Sequence, residues 1–461
     1  MTSVQVAPPS PHPLGPPRIL TDPPGPRSRA LAARLAASEA PGVAGFEGTL
    51  PPVVWEAAAG ARVRDVDGNV YVDLTAGFAV ASVGHAHPRV VAAVKSQAER
   101  LLHGMGDVFP HDVRAELAAR LAAQAPFDDA RVYFATSGSE AVEIALKTAH
   151  LATGRPGVAA FTGGYHGLTY GALRATARAE FRAPFEAALA PPTLRLPFPD
   201  PDHPPIPASP ASLAEGCLAE CRARLRVAGA RGALPGALIV EPVLGREGVV
   251  VPPAGWLREL AGLCRELGVL LVADEVFTGF GRTGLRFAVE ADAVEPDVLV
   301  VGKALAGGLP IGAALARAEI FEVWRRDGEA LHTSTFLANP LACAAGIAAL
   351  DVIEDERLVE RAAAWGRRRR EELAALAGTR RAVGHARGVG AMWALELLDP
   401  SGAPAPAATR EVMRGCRGRG VLVLAGGPSG NVLQITPPLV IEEDDWAFAL
   451  EALSGALADT E

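Results

Sequence analysis

Two neighbouring stretches decide the fold of this chain: VLLVADEVFTGFGRTG at residues 269–284 and PDVLVVGKALAGGLPIG at residues 296–312. Each contains a short, unbroken apolar run, which is typical of a strand that is buried on both faces of a sheet. Asp274 and Glu275 end the first run, and Lys303 follows the second. Because open α/β sheets bind ligands at the carboxyl ends of their strands, the two stretches predict a functional site at this edge.

The charges at these strand ends favour chemistry over structure. Two carboxylates, Asp274 and Glu275, are costly at the end of a buried strand unless they are paired or hydrogen-bonded. Lys303 stands alone in an uncharged run from residue 298 to residue 316. In apolar surroundings a lysine has a lowered pKa and becomes a nucleophilic amine. The alternative is a lysine that extends along the strand end to solvent, but the surrounding glycines argue against a solvated face.

Two further motifs add a phosphate seat and a flat side chain. The residues Thr136–Ala141 (TSGSEA) link a strand to a helix, and a helix N-terminus of this kind suits a phosphate. Ser137 or Ser139 could instead be a plain helix cap. In the motif Gly163–Gly167 (GGYHG), Tyr165 could stack on a flat ring or simply pack locally.

Taken together, these groups match one cofactor, pyridoxal 5'-phosphate (PLP). It requires an imine-forming lysine, a carboxylate that keeps the pyridine nitrogen protonated, a stacking aromatic ring and a phosphate seat. The sequence therefore predicts a PLP enzyme in which Lys303 and Asp274 are the catalytic residues.

Alternating strands and helices predict an α/β fold with a parallel-rich sheet covered on both sides. The predicted division is an N-terminal region at 1–83, a large cofactor-binding domain at 84–350 and a smaller α+β domain at 351–461. Within the N-terminal region we expect a proline-rich arm that is mobile or draped over the surface (1–26), a helix at 29–38 capped by Ser28, and a hairpin at 53–74. The proline-rich stretch 191–210 is predicted to be a surface excursion.

Composition excludes several classes of protein. The chain has 461 residues, 49% of them hydrophobic, and a net charge of -8, so neither a disordered chain nor a nucleic-acid-binding surface is expected. Five cysteines without a Cys-x-x-Cys pair exclude a disulfide framework. We see no export signal, and the longest apolar stretch, residues 336–350, is too short to span a membrane. A cytoplasmic protein that binds no membrane is expected.

From residue 24 to its end the chain resembles the class III aminotransferases, which are fold type I PLP enzymes such as the 4-aminobutyrate, ornithine and acetylornithine aminotransferases. The motifs that carry the resemblance are GHAHP (84–88), SGSEA (137–141), GGYHG (163–167), EPV (241–243), DEVFTGFGRTG (274–284), GKALAGGLPIG (302–312), HTSTFLANPLACA (332–344) and NVLQITPPLVI (431–441). The resemblance implies a large domain with a mixed, mostly parallel sheet flanked by helices, plus a smaller α+β domain. It also implies transfer of an amino group from an amino acid, ω-amino acid or amine to a 2-oxo acid.

The resemblance assigns a role to each motif residue. Lys303 would hold PLP as a Schiff base, Asp274 would pair with the ring nitrogen, and Glu241 would support the Asp274 side. The residues implied to pack on the ring or bind the phosphate are Tyr165, His166, Val276, Ser137, Gly138 and Ser139. Thr335 would reach the phosphate in the neighbouring subunit, which implies a homodimer or a tetramer built from it. Phe78 would lie at the substrate entrance.

His85 and His87 have the spacing of a metal pair, but in this family the segment is a structural helix entry. No metal is therefore expected.

Three positions depart from the family pattern. Phe277 stands where many relatives have a glutamine that touches the cofactor's ring oxygen. Arg246 replaces a glutamate of the 4-aminobutyrate enzymes, and Gln434 replaces their arginine for the substrate α-carboxylate. Because an amide lacks the guanidinium fork, we hypothesise that Arg246 binds the carboxylate from the opposite side.

Two other functions compete with that of a transaminase. A PLP-dependent amino-acid racemase or epimerase uses the same cofactor but returns the proton to the other face. A non-catalytic PLP regulator would need an appended DNA-binding module, for which residues 1–26 are too short and too rich in proline.

Overall fold

The computed structural model describes residues 13–43 and 51–460. In these residues the strands are β1 Trp55–Ala59, β2 Arg62–Asp65, β3 Val70–Asp73, β4 Ala130–Ala135, β5 Val158–Phe161, β6 Leu194–Leu196, β7 Ala237–Val240, β8 Leu270–Asp274, β9 Val298–Val301, β10 Gly312–Arg317, β11 Val383–Val389, β12 Met392–Leu397, β13 Val421–Leu422, β14 Leu424–Gly426 and β15 Val432–Ile435. The helices are α1 Pro26–Ala36, α2 Ala76–Ala79, α3 Pro88–Arg100, α4 Asp112–Gln124, α5 Gly138–Thr153, α6 Tyr170–Ala175, α7 Ala179–Arg182, α8 Leu213–Ala230, α9 Trp256–Leu267, α10 Ala318–Phe321, α11 Pro340–Asp355, α12 Leu358–Thr379, α13 Pro406–Gly418 and α14 Glu443–Ala458. Short 3-10 helices lie at Ala183–Ala188, Ala288–Asp292, Lys303–Ala306 and Glu322–Trp324.

The central sheet has seven strands in the order β4-β10-β9-β8-β7-β5-β6. All neighbours are parallel except β10, which runs antiparallel to both β4 and β9. Strands β5, β7 and β9 are buried along their whole length, as expected for strands covered on both faces. This arrangement confirms the predicted mixed, mostly parallel sheet.

Two helices that begin next to the site have clear start signals. Ser137 precedes α5, and its Oγ accepts a hydrogen bond from the Glu140 amide at 3.2 Å. Asn339 precedes α11 and caps it with its side chain, and Pro340 occupies the first turn, where a proline costs no hydrogen bond. Both caps fix where the chain enters its helix, so they also fix the loops that face the cofactor region.

Helix α1 differs from its prediction. It begins at Pro26 after Gly25, so Ser28 lies inside the helix and is not its cap. The Ser28 hydroxyl instead accepts a hydrogen bond from the Val54 amide at 3.2 Å. A proline in the first turn therefore starts this helix, and the serine ties it to the following strand region.

The N-terminal and C-terminal parts of the chain form two smaller four-stranded sheets, in the orders β1-β2-β3-β13 and β11-β12-β15-β14. The predicted hairpin is part of the antiparallel set β1, β2 and β3, and β13 joins β3 in parallel. Residues from both ends of the chain thus share one sheet.

Part of the N-terminal arm lies on this sheet. The Leu20 and Thr21 amides donate to Asn69 Oδ1 at 2.7 and 2.9 Å, so residues 13–25 are draped over the surface. Residues 1–12 of the predicted arm lie outside the described residues.

The predicted excursion at 191–210 is only partly on the surface, because Leu194–Leu196 forms the edge strand β6. The division at 83/84 and 350/351 stays a prediction, and its second boundary falls inside α11. In the described part of the chain, no helix is long and apolar enough to cross a membrane.

Candidate active site

The site lies at the carboxyl ends of β8 and β9. Asp274 is the last residue of β8, and Lys303 follows β9 after Gly302. The parallel register pairs Asp274 with Val300, so the carboxylate and the amine reach the same edge of the sheet. This geometry is what the two apolar runs predicted.

Lys303 is held in an unusual environment. Its backbone has φ 42°, and its Nζ lies 3.9 Å from the centre of the Phe277 ring. Burial lowers the pKa of Lys303 to about 8, although the nearby carboxylates of Glu241 and Asp274 raise it. An amine of this kind is deprotonated far more readily than an ordinary lysine, as a nucleophile requires.

Asp274 and His166 form a buried pair. Asp274 Oδ2 lies 2.8 Å from His166 Nδ1, and its Oδ1 accepts from the Val276 amide at 3.1 Å. Among the described residues, the buried His166 Nε2 has no hydrogen-bond partner. The pair presents a fixed carboxylate to the space in front of Lys303.

Glu275 is not part of the site, although both carboxylates, Asp274 and Glu275, were candidates for it. Its carboxylate accepts hydrogen bonds from the Thr278 hydroxyl and, at 2.8 Å, from the Val289 amide. Successive side chains of a strand point to opposite faces, so Glu275 faces away from the site. Burial raises the pKa of Glu275 to about 7.

Glu241 organises two loops of the site. Its Oε1 accepts from the Tyr165 amide at 2.8 Å, and its Oε2 accepts from the Gly245 amide at 3.0 Å. Burial raises the pKa of Glu241 to about 7. This carboxylate therefore holds the GGYHG loop next to the loop that carries Arg246.

The N-terminus of α5 faces the same space. A side chain at Gly138 would place its Cβ 2.9 Å from Val276 Cγ1, and a Cβ on Gly302 would meet Gly138 and Val276 at 3.5 Å. Ser137 caps α5, in agreement with the alternative that one of these serines is a plain helix cap. Ser139 Oγ lies 2.8 Å from Thr169 Oγ1. The free amides of a sixteen-residue helix are thus exposed at a glycine-lined seat, which suits a phosphate.

Arg246 and Gln434 also reach the site region. The Arg246 guanidinium carbon lies 4.6 Å from the Tyr165 ring centre and 5.6 Å from that of Phe181. Gln434 Nε2 donates to the Gly245 carbonyl at 2.6 Å. Both residues therefore border the loop that Glu241 holds.

Phe78 lies beside the site, whereas no described contact joins Thr335 to it. The α2 segment lies beside the turn at Lys303–Ala306, and Phe78 is 60% exposed with φ 62°. Thr335 is exposed and makes no described contact with Lys303 or Asp274. His85 and His87 bond different carboxylates, those of Asp73 and Glu356.

Arg178 is not among the residues predicted from the sequence. Its Nη2 donates to the carbonyls of Arg246 at 2.8 Å and Gly427 at 2.7 Å. No local motif marks this residue, because the contacts join segments that are far apart in the sequence.

These residues fit PLP. The cofactor needs a lysine amine, an anionic partner for its ring nitrogen and donors for its phosphate, and Lys303, Asp274 and the start of α5 provide them around one space. The buried, unbonded Nε2 of His166 supplies a further polar group. The fold and these groups define a PLP-dependent enzyme of fold type I.

Comparison with known proteins identifies the family. The family model described as Aminotransferase class-III matches residues 45–457, and the chain belongs to this family. Its cofactor is PLP, and its activity is that of an aminotransferase.

Three known proteins illustrate the similarity. An acetylornithine aminotransferase of Methanopyrus kandleri is 41% identical over 406 residues, which cover 88% of this chain and 94% of that protein. An alanine/serine racemase of Pyrococcus horikoshii is 35% identical over 449 residues, covering 96% and 93%. The structure of a PLP-bound amine transaminase from an uncultivated Pseudomonas species has a TM-score of 0.84 and 31% identity, covering 92% of this chain and 98% of that one.

Proposed function

We propose that this aminotransferase exchanges an amino group between an amino acid and a 2-oxo acid whose carboxylate binds Arg246. The observation that carries the proposal is the position of the Arg246 guanidinium. It lies over the ring of Tyr165 and forms no ion pair with any described residue. A cation kept beside the cofactor aromatics without an anionic partner is suited to a substrate carboxylate.

Gln434 supports the same assignment. Its amide nitrogen is engaged by the Gly245 carbonyl at 2.6 Å, and a neutral amide cannot supply a charge-assisted fork. In this chain the residue that binds the carboxylate is therefore Arg246 and not the residue at position 434.

The remaining residues are proposed to bind the cofactor and handle the proton. PLP, when bound, supplies an electron sink for the reacting carbon. Lys303 would form the link to the cofactor, and its amine, whose pKa burial lowers to about 8, could carry the proton at the substrate Cα. Asp274, held by His166, would keep a negative charge at the ring nitrogen. Gly138 and Ser139 would bind the phosphate, and Tyr165 and Val276 would enclose the ring.

The overall exchange balances without another reactant. The donor carbon loses its C–N and C–H bonds and becomes a carbonyl, while the acceptor carbonyl becomes an amine carbon and gains the hydrogen. Two electrons pass from donor to acceptor, and the carbonyl oxygen moves in the opposite direction by way of water.

The test compares Arg246→Ala with Arg182→Ala in two kinetic series. Loss of a charge-assisted pair to a carboxylate should raise the KM of a 2-oxo acid roughly ten- to a hundredfold, and it should leave an uncharged amine donor nearly unaffected. Arg182 serves as the control because its guanidinium lies 3.5 Å from Glu186. Equal effects on both substrates, or none on either, would contradict the carboxylate role.

An assay of the unaltered enzyme without an oxo acid distinguishes a transaminase from a racemase. Transamination of a single amino acid stops after one turnover when no oxo acid is present, whereas racemisation continues. Sustained loss of optical rotation without an acceptor would favour the racemase.

We further propose a homodimer. Five large apolar side chains stand exposed on two segments that pack together: Leu102, Met105, Val108, Phe109 and Phe336. The segments are joined by the Asn339 amide, which donates to the Leu102 carbonyl at 3.2 Å, and by the rings of His103 and Phe336 at 5.4 Å. We call these five residues the apolar face. Exposed apolar patches of this kind mark protein interfaces, and Thr335 lies next to Phe336 with its side chain free to reach a second subunit's site.

A cytoplasmic location is part of the proposal. The five cysteines, Cys217, Cys221, Cys264, Cys343 and Cys416, are free and buried. Free thiols are typical of a reducing compartment.

A further inference from the structure

The charged side chains that act most strongly on the Lys303 amine are the anions Glu241 and Asp274 and the cations Arg246 and Arg282. The number of cations with free donors sets how many carboxylates a substrate can bring into such a space.

Arg282 is not available to a substrate. It is fully buried, and its guanidinium donates to the carbonyls of Ala391 at 3.0 Å and Pro437 and to the Ser82 hydroxyl at 2.9 Å. These bonds tie three distant segments of the chain together, so the role of Arg282 is structural.

Arg178, the cation next to the Arg246 loop, is also engaged. Its Nη2 donates to two carbonyls, and its guanidinium lies 3.7 Å from Glu180 and 3.9 Å from Glu247. Arg178 thus lies next to two glutamates, and burial raises the pKa of Glu247. In the described residues, Arg246 is the cation of this site whose guanidinium makes neither a hydrogen bond nor an ion pair, whereas Arg178 and Arg282 each keep only a buried Nε without a partner.

The rest of the surroundings is apolar or anionic. The Phe277 ring covers Lys303 Nζ at 3.9 Å, Phe181 packs edge-on against Tyr165, and Leu168 follows the GGYHG loop with an exposed apolar side chain. Glu241 adds a buried carboxylate. Among the described residues of one subunit, a second carboxylate finds no further cation with an accessible, unpaired guanidinium or amine.

From this charge count we infer that the substrates of the site carry a single carboxylate: the acceptor is a monocarboxylic 2-oxo acid and the donor a matching amino acid without a side-chain acid. The inference rests on the proposed function, because it assumes that Arg246 holds the carboxylate next to the reacting carbon. It extends that function by excluding dicarboxylic acceptors such as 2-oxoglutarate.

The first test uses two acceptors with the same carbon skeleton. For the holoenzyme, kcat/KM is measured with 2-oxopentanoate and with 2-oxoglutarate, which differ in the distal carboxylate. An unpaired carboxylate in this site should lower kcat/KM for 2-oxoglutarate by roughly a hundredfold. Affinities of the unreactive analogues valerate and glutarate, followed by the cofactor's absorbance, should differ in the same direction.

A second test adds the missing charge. Gln434→Arg should raise the ratio of kcat/KM for 2-oxoglutarate to kcat/KM for 2-oxopentanoate by about tenfold or more, whereas the neutral variant Gln434→Met, which also loses the bond to the Gly245 carbonyl, should leave that ratio unchanged. Because the first test uses the unaltered chain, a Gln434→Arg variant that fails to fold does not block the decision.

The outcomes separate this inference from the proposed function. If the unaltered enzyme accepts both oxo acids within about threefold while Arg246→Ala impairs both, the single-carboxylate inference is overturned and the Arg246 seat stands. If Arg246→Ala impairs neither, the proposed function itself is wrong.

Discussion

Lys303 is one of three lysines in the chain, with Lys95 and Lys147. Burial disfavours the charged amine and lowers the pKa of Lys303 to about 8 from the ordinary 10.5. In the cofactor-free protein, the neutral and reactive fraction of Lys303 should therefore rise with pH and reach half near pH 8. At that pH its neutral fraction should exceed that of an ordinary lysine with a pKa of 10.5 by roughly a hundredfold.

Pulse labelling with an acylating reagent, read by mass spectrometry of the three lysine peptides, measures this difference. Lys95 is the internal control, since it lies exposed on α3. A labelling profile for Lys303 that coincides with that of Lys95 would contradict the environment described for the amine.

Asp274 makes a second prediction at the residue scale. Asp274→Asn keeps the shape of the side chain but removes the charge proposed to face the ring nitrogen. The variant should still bind PLP, and kcat should fall by roughly a hundredfold or more, about 3 kcal/mol in the barrier. Turnover and cofactor content are measured on the same sample, and near-normal turnover with full cofactor would refute the role.

At the scale of elements, the phosphate seat depends on how closely α5 approaches the end of β8. A methyl group on Gly138 would lie 2.9 Å from Val276 Cγ1, so Gly138→Ala should push the helix start away from the cofactor. We expect the Kd of PLP to rise about ten- to a hundredfold, measured by equilibrium dialysis.

Gly262→Ala is the matched control for that variant. Gly262 lies inside α9, and a Cβ there would meet no atom within 4 Å. The change should leave PLP binding intact and stabilise the helix by about 0.5–1 kcal/mol. Equal PLP affinities for the two variants would show that the approach of α5 to Val276 does not form the seat.

The strands show what the sequence could predict. The unbroken apolar runs of β8 and β9 are visible in the sequence, and so are the charged residues at their ends. Strand β10 (GAALAR) was not found, because alanine and glycine have little strand preference and the pairing with β4 and β9 decides its structure. The opposite orientation of the Asp274 and Glu275 side chains could have been predicted, since neighbours on a strand face opposite sides.

Contacts between distant segments could not be predicted from the sequence. Arg178 bonds the carbonyl of Arg246, 68 residues away, and that of Gly427, 249 residues away. Neither residue type nor spacing signals such a bond. Carboxylate binding by Arg246 was a hypothesis from two substituted motif positions, 246 and 434, and the contact of Arg246 with Tyr165 was not predicted from the sequence.

For the whole molecule, the question is whether an active site draws on two subunits. Thr335 lies beside the apolar face and makes no described contact with Lys303 of its own subunit. If Thr335 binds the phosphate of the neighbouring subunit's cofactor, a site is completed by Lys303 of one chain and Thr335 of the other. Thr335→Ala alone should then weaken PLP binding about tenfold or more, and Lys303→Ala alone should be inactive.

Mixing the two variants distinguishes shared from private sites. Subunits of Lys303→Ala and Thr335→Ala are unfolded and refolded together, and activity is assayed at limiting PLP. A hybrid dimer then contains one site with both native residues and one with both substitutions. At equal mixing half of the dimers are hybrids, so the sample should regain about a quarter of the activity of the unaltered enzyme. If Thr335 served its own subunit, every hybrid site would carry one of the two defects, and mixing would restore nothing.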